Sequence, residues 1–179
     1  LAHGFDAGMG FRLVRASLDE VVLEYTIDDR HRQPYGIVHG GVHCAAVETV
    51  CSTGAALNAM PRGQAVVGIE NHTSFIHAIR EGVVRVTGTP LTRGRRSQLW
   101  EAVARDVSGR IIASGRVRLL CLDQGSDLAG QAVRTGDGDL PRVRANGEGP
   151  RPRRRFSLWL LRFPCSLFAR PVHGIERPQ

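Results

Sequence analysis

The sequence predicts an α+β fold in which an antiparallel sheet of about six strands wraps around one long central helix. Residues 40–60 carry apolar side chains at helical spacing with one charged residue, Glu48. Two β-branched or alternating runs precede that stretch and four follow it, separated by turn signals. A helix with so little charge around its circumference must be covered on most sides, and a curled amphipathic sheet supplies the cover.

The elements follow in order. Residues 1–10 are Gly-rich and read as a loop or short turn. Residues 11–28 (FRLVRASLDEVVLEYTID) alternate on either side of a polar turn at 17–20, which predicts two antiparallel strands. Residues 28–34 (DDRHRQP) form a polar connection, the kind of segment on which site residues are presented. In the helix Val42, Ala45, Ala46, Val47, Val50, Cys51, Ala55 and Leu57 recur on a helical period, and Pro61, Arg62 and Gly63 end it. Residues 65–79, 82–94, 97–109 and 110–122 read as four strands, with turns at Glu81-Gly82, Arg93-Gly94-Arg95 and Ser108-Gly109. The domain is expected to end at Leu122. Residues 123–179, rich in Gly, Pro and Arg and without periodicity, are expected to be a disordered tail. Within it the apolar patch at residues 156–168 is interrupted by Arg162 and Pro164 and is too short to span a bilayer. A dispensable extension explains it more simply than a membrane-surface element.

A net charge of +7 and an isoelectric point of about 10.5 raise the question of an anionic partner. The signal is diluted because all 24 basic residues are Arg, a skew that a GC-rich coding sequence produces without selection for phosphate. It is also uneven: residues 123–179 hold 10 Arg against 6 acids, and the first 122 hold 14 against 11. No nucleic-acid motif or aromatic interleaving accompanies the Arg-rich segment. Cys44 and Cys51 lie seven apart in the helix, roughly 10 Å along its axis, so they read as buried thiols of a reducing compartment rather than a disulfide framework. No signal-peptide pattern and no run of about 18 apolar residues is visible, and the expected location is cytoplasmic. No metal or cofactor is called for.

Residues 33–52 concentrate the reactive groups: Gln33, His39, Gly40, Gly41, Glu48 and Ser52. Glycines at a helix mouth leave backbone N–H groups unpaired at the positive end of the helix dipole, so Gly40 or Gly41 can donate to an oxyanion. Glu48 lies about two turns further on with Ser52 at i+4 on the same face. Together a carboxylate and a hydroxyl hold or activate a water, or the carboxylate attacks directly. Alternatives exist for each residue: His39 as a helix cap, Ser52 as a packing residue, Glu48 as a solvated helix acid. The absence of other charges on the helix argues against the last.

Gln33, His39-Gly40-Gly41, Glu48 and Ser52 resemble the signature of the hotdog-fold acyl-CoA thioesterases of the PaaI-like group, in the branch similar to 4-hydroxybenzoyl-CoA and 1,4-dihydroxy-2-naphthoyl-CoA thioesterases that uses Glu. The likeness covers most of residues 10–122. It implies that Glu48 is nucleophile or general base, that Gly40 donates its N–H to the thioester oxygen, that Gln33 and His39 orient the thioester and that Ser52 positions water. It implies a homodimer, often paired into a homotetramer, in which the Gln33 and His39 loop of one subunit serves the other's Glu48. For the CoA portion it suggests Gly41, Gly68, His77, Arg93, Gly94, Arg95 and Arg96. The tail after Leu122 departs from the family pattern. The expected reaction is hydrolysis of an acyl-CoA with an aromatic or medium-chain acyl group; a hotdog hydratase or dehydratase and a non-catalytic acyl-CoA-binding module are the alternatives.

Overall fold

The computed structural model describes residues 4–134. A short helix α1 (Gly4–Gly8) replaces the expected N-terminal loop, and Asp6 on it accepts a hydrogen bond from Thr49 of the central helix at 2.8 Å. Strands β1 (Arg12–Ala16) and β2 (Val21–Thr26) form a hairpin whose turn is closed by Ser17 Oγ accepting from Glu20 N at 3.0 Å. The long helix α2 (Gly40–Ala59) follows, then β3 (Gln64–Phe75), β4 (Val83–Arg93), β5 (Ser97–Arg105) and β6 (Ile111–Asp123). The six strands make one antiparallel sheet in the order β1-β2-β4-β5-β6-β3, as the α+β reading expects.

The sheet curls around α2 because each element alternates as required. β5 buries Gln98, Trp100, Ala102 and Ala104, every second residue, against the helix. The helix answers with Ala46, Val47, Val50, Cys51 and Ala55, all fully buried. Contact is closest where Gly54 meets the Trp100 ring: a β-carbon on Gly54 would lie 2.4 Å from it. Trp100 is held there by its indole N–H, which donates to Gln98 Oε1 at 3.0 Å, while Gln98 Nε2 donates to the Ala55 carbonyl.

β3 is an edge strand. It pairs with β6 on one side only, and a bulge between Gly68 and Glu70 re-aims its second half. Ile69 and Phe75 on it remain exposed, as does Ile76 just beyond it.

Strand structure continues beyond Leu122. β6 continues to Asp123, whose carboxylate accepts from buried Gln64 at 2.9 Å, and a small hairpin of β7 (Asp127–Leu128) and β8 (Gln131–Ala132) buries Val133. The remainder of the expected tail, including Cys165 and the apolar patch at 156–168, lies outside the described residues. Cys44, Cys51 and Cys121 are free thiols, the first half-buried and the other two buried. Among the described residues no helix is long and apolar enough to cross a membrane.

Candidate active site at the helix N-terminus and the β3 edge

The loop before α2 is built as a rigid presenter. Asp28 caps a 3-10 turn (Asp29–His31), accepting from Arg30 N, and His31 returns the bond by accepting Asp28 N–H on Nδ1 at 3.0 Å. The other nitrogen of His31 donates to the Met9 carbonyl at 2.8 Å, so this fully buried imidazole is satisfied on both sides. A bridge between Arg32 and Val38 closes a tight loop. At its tip Gly36 adopts φ +75°, and a β-carbon there would meet the Arg80 guanidinium at 2.9 Å. Arg80 itself donates to the Tyr35 carbonyl at 2.7 Å. Gln33 stands on this loop with Oε1 accepting from Tyr35 N at 3.2 Å.

His39 is the N-cap of α2 and its Nδ1 accepts from Gly41 N–H at 2.9 Å. That bond occupies Gly41, so of the two glycines Gly40 is the one whose N–H has no partner among the described residues. It also leaves the His39 proton on Nε2, on an exposed ring. Phe75 of β3 lies over Gly40: a β-carbon there would meet the ring at 2.6 Å. Gln33, Gly40, His43, Phe75, Ile76 and His77 line a groove of about 340 Å³, completed by Ile37, Val38 and Ala78.

Glu48 lies elsewhere. At about 1.5 Å per residue, eight residues place it about 12 Å along the helix from Gly40. Its Oε1 accepts from Ser52 Oγ at 3.1 Å, the i+4 pairing expected from the spacing. Its Oε2 accepts from Asn71 Nδ2 at 2.9 Å. Asn71 also donates to the Cys44 carbonyl at 3.1 Å and accepts from Thr73 Oγ1 at 2.7 Å, which orients its amide. Gly115, opposite Thr73 on β6, leaves room for that hydroxyl, since a β-carbon there would lie 2.5 Å from it. Gly68 sits directly beneath the carboxylate, with a β-carbon position only 2.3 Å from Oε1.

The residues suggested by resemblance for CoA fall into separate groups. His77 adjoins Gln33 in the groove, and its Nδ1 donates to the Ile111 carbonyl at 2.7 Å. Arg93, Gly94, Arg95 and Arg96 form the turn between β4 and β5, at the other end of a strand roughly 30 Å long. There Arg93 is engaged by Asp19 and Asn58, while the side chains of Arg95 and Arg96 are exposed and make no hydrogen bond or ion pair among the described residues. One chain therefore brings together Gln33, Gly40 and His77 with His39 at the rim, and separately Glu48, Ser52 and Gly68. It does not bring the two groups together.

Sequence reasoning missed Asn71, Thr73, Phe75 and His43. Asn71, Thr73 and Phe75 alternate along β3, a period that signals a shared face, but nothing in the sequence says that the face meets Glu48. Among the described residues no cluster of three or more His, Cys, Asp or Glu side chains that could hold a metal converges.

Residues 35–113, the span from the loop through the first residues of β6, match the Thioesterase superfamily. The chain belongs to that superfamily, and the chemistry of its class is thioester hydrolysis. The proofreading thioesterase EntH of Cronobacter sakazakii is 39% identical over 107 residues, covering 59% of this chain and 77% of that protein. Rv1847 of Mycobacterium tuberculosis is 38% identical over 121 residues, covering 66% of this chain and 86% of that protein. Among solved structures, AziG of S. sahachiroi superposes with a TM-score of 0.66 at 34% identity, covering 69% of this chain and 99% of that one. The hotdog fold is thereby established.

Proposed function

We propose that the protein hydrolyses an acyl-CoA thioester to the free acid and CoA, as a member of the PaaI-like branch that uses Glu, at a site completed by a second copy of the chain. The acyl group in this reading is aromatic or of medium length. The observation that carries the reading is Glu48: the lone acid of α2, held by hydrogen bonds on both oxygens from Ser52 and Asn71 while remaining half-exposed at the open β3 edge.

The distance along α2 determines how the parts combine. The Gly40 N–H and the Glu48 carboxylate of one helix are too far apart to act on the same carbonyl, so the oxyanion end works with the partner subunit's Glu48. Antiparallel pairing of two β3 edges would place each carboxylate opposite the other chain's Gln33, His39 and Gly40, and would cover the exposed Ile69 and Phe75. Gly40 N–H, at the positive end of a 20-residue helix, then stabilises the oxygen that gains charge. Glu48 either takes a proton from a water held with Ser52 as that water attacks the carbonyl carbon, or attacks the carbon itself to give an anhydride that water cleaves. In both routes the C–S bond breaks and CoA leaves as the thiolate, which takes up a proton.

The test is release of free thiol from a panel of acyl-CoAs. Glu48→Ala should remain folded and lose about a hundredfold or more in kcat; a broadly inactive wild type, or a fully active Glu48→Ala, overturns the assignment. The two-chain site has its own test. Mixing inactive Glu48→Ala with inactive Gln33→Ala should restore activity, because a mixed dimer regains one intact site, and failure to complement in proven mixed dimers rejects the shared site. Label in Glu48 after a single turnover in isotopically labelled water identifies the anhydride route, because it enters only when water attacks the Glu48 carbonyl of the anhydride.

A further inference from the structure

The groove at the mouth of α2 contains a second hydrogen-bond donor. His43 is three residues after Gly40, so the two are neighbours on one helix face. It is 4% exposed, and its Nδ1 lies 3.0 Å from the hydroxyl of Tyr25, which is 2% exposed. Burial holds the Tyr25 phenol protonated by raising its pKa, and holds the imidazole neutral by lowering its pKa to about 4.

The proton positions follow from the partners available. Nδ1 of His43 is the one partner of the Tyr25 hydroxyl among the described residues, so the phenol donates there. The imidazole proton is then on Nε2. No fully buried side-chain nitrogen or oxygen among the described residues lacks a partner, and Nε2 has none, so it is not sealed. His43 lines the groove, so a ligand there is within reach of the ring edge that carries the unsealed Nε2.

Under the proposed function the Gly40 N–H is taken by the thioester oxygen, which leaves the His43 N–H facing a pocket whose other walls are mainly apolar: Ile37, Val38, Phe75, Ile76 and Ala78. A desolvated donor left without an acceptor weakens binding. A site built around such a donor discriminates against ligands that lack the matching acceptor. No arginine lines the groove, so a neutral oxygen suits it better than a carboxylate. We propose that His43, oriented by Tyr25, is a specificity-determining residue that selects acyl groups bearing a hydroxyl or carbonyl oxygen within a few bonds of the thioester. This rests on the thioesterase reading for the identity of the ligand, while the donor itself follows from the geometry.

The experiment reads binding separately from turnover. Non-hydrolysable thioether analogues of hexanoyl-CoA and its β-hydroxy derivative, and of benzoyl-CoA and its meta-hydroxy derivative, are titrated calorimetrically into wild type, His43→Leu, His43→Gln and Tyr25→Phe. In at least one pair, wild type should bind the hydroxylated member about tenfold or more tightly, the equivalent of one well-made hydrogen bond. His43→Leu should bring that ratio close to one, His43→Gln should keep part of it by retaining an N–H, and Tyr25→Phe should weaken it by freeing the tautomer. Absence of preference in wild type, a preference that survives His43→Leu, or failure of all the analogues to bind overturns the proposal. Binding with this preference but without hydrolysis of the matching thioesters would sink the thioesterase reading and leave the role of His43 standing.

Discussion

Asn71 on the β3 edge donates to Glu48 Oε2 at 2.9 Å and to the Cys44 carbonyl at 3.1 Å, so one strand amide ties the carboxylate of α2 to the helix backbone. A carboxylate intended to accept a proton or attack carbon gains from being held in one rotamer. Asn71→Ala should therefore lower kcat by about tenfold to a hundredfold, with the melting temperature little changed because Asn71 is exposed. Thr73→Val should show the same loss in weaker form. Equal activity in Asn71→Ala would show that Ser52 alone suffices to place the carboxylate.

Gly68 allows a second test of the same placement without touching the carboxylate. A methyl group there would sit 2.3 Å from Glu48 Oε1, the far end of a flexible side chain, so the side chain moves rather than the strand. Gly68→Ala should retain the fold and lose turnover by about tenfold or more. Thermal melting and steady-state kinetics on the same preparation separate the two effects.

Gly54→Ala should behave in the opposite way. Its methyl group would lie 2.4 Å from a fully buried Trp100 ring that the Gln98 hydrogen bond prevents from moving aside. Overpacking costs about 1–3 kcal/mol, against about 1 kcal/mol gained in helix propensity. The packing term wins at most sites of this kind, and the melting temperature should fall by a few degrees. A rise would show that the sheet relaxes away from the helix.

His43 adds a pH dependence to stability. Its folded pKa, lowered to about 4, lies below the ordinary value of 6.5, so the unfolded chain binds a proton in that interval that the folded chain does not. The stability attached to this group is complete above pH 6.5 and is lost as pH falls toward 4, at most about 3 kcal/mol. His43→Leu should flatten the decline in melting temperature across that window, whatever its effect at neutral pH.

The C-terminal boundary is testable by truncation. Ending the chain after Leu122 removes Asp123 from buried Gln64 and removes buried Val133, so that variant should melt several degrees below one ending after Arg134. Identical melting would place the hairpin outside the cooperative unit.

The sequence by itself determined the long helix and its limits, the six strands and the i,i+4 pairing of Ser52 with Glu48. These are properties of near neighbours: helical and strand periods, glycine at a helix mouth, and i,i+4 spacing all act within a few residues along the chain. What only tertiary structure decided depends on the curl of the sheet. It set Asn71 against Glu48, Tyr25 against His43 and Phe75 over Gly40, pairs separated by 18 to 35 residues in sequence. It also formed a small hairpin after β6 that a Gly-rich composition concealed, because two-residue strands carry too few residues to show a period. Tertiary structure decided, too, that Gly41 spends its N–H on His39 while Gly40 keeps its own free among the described residues, since that choice turns on a side-chain rotamer at the helix cap rather than on residue type.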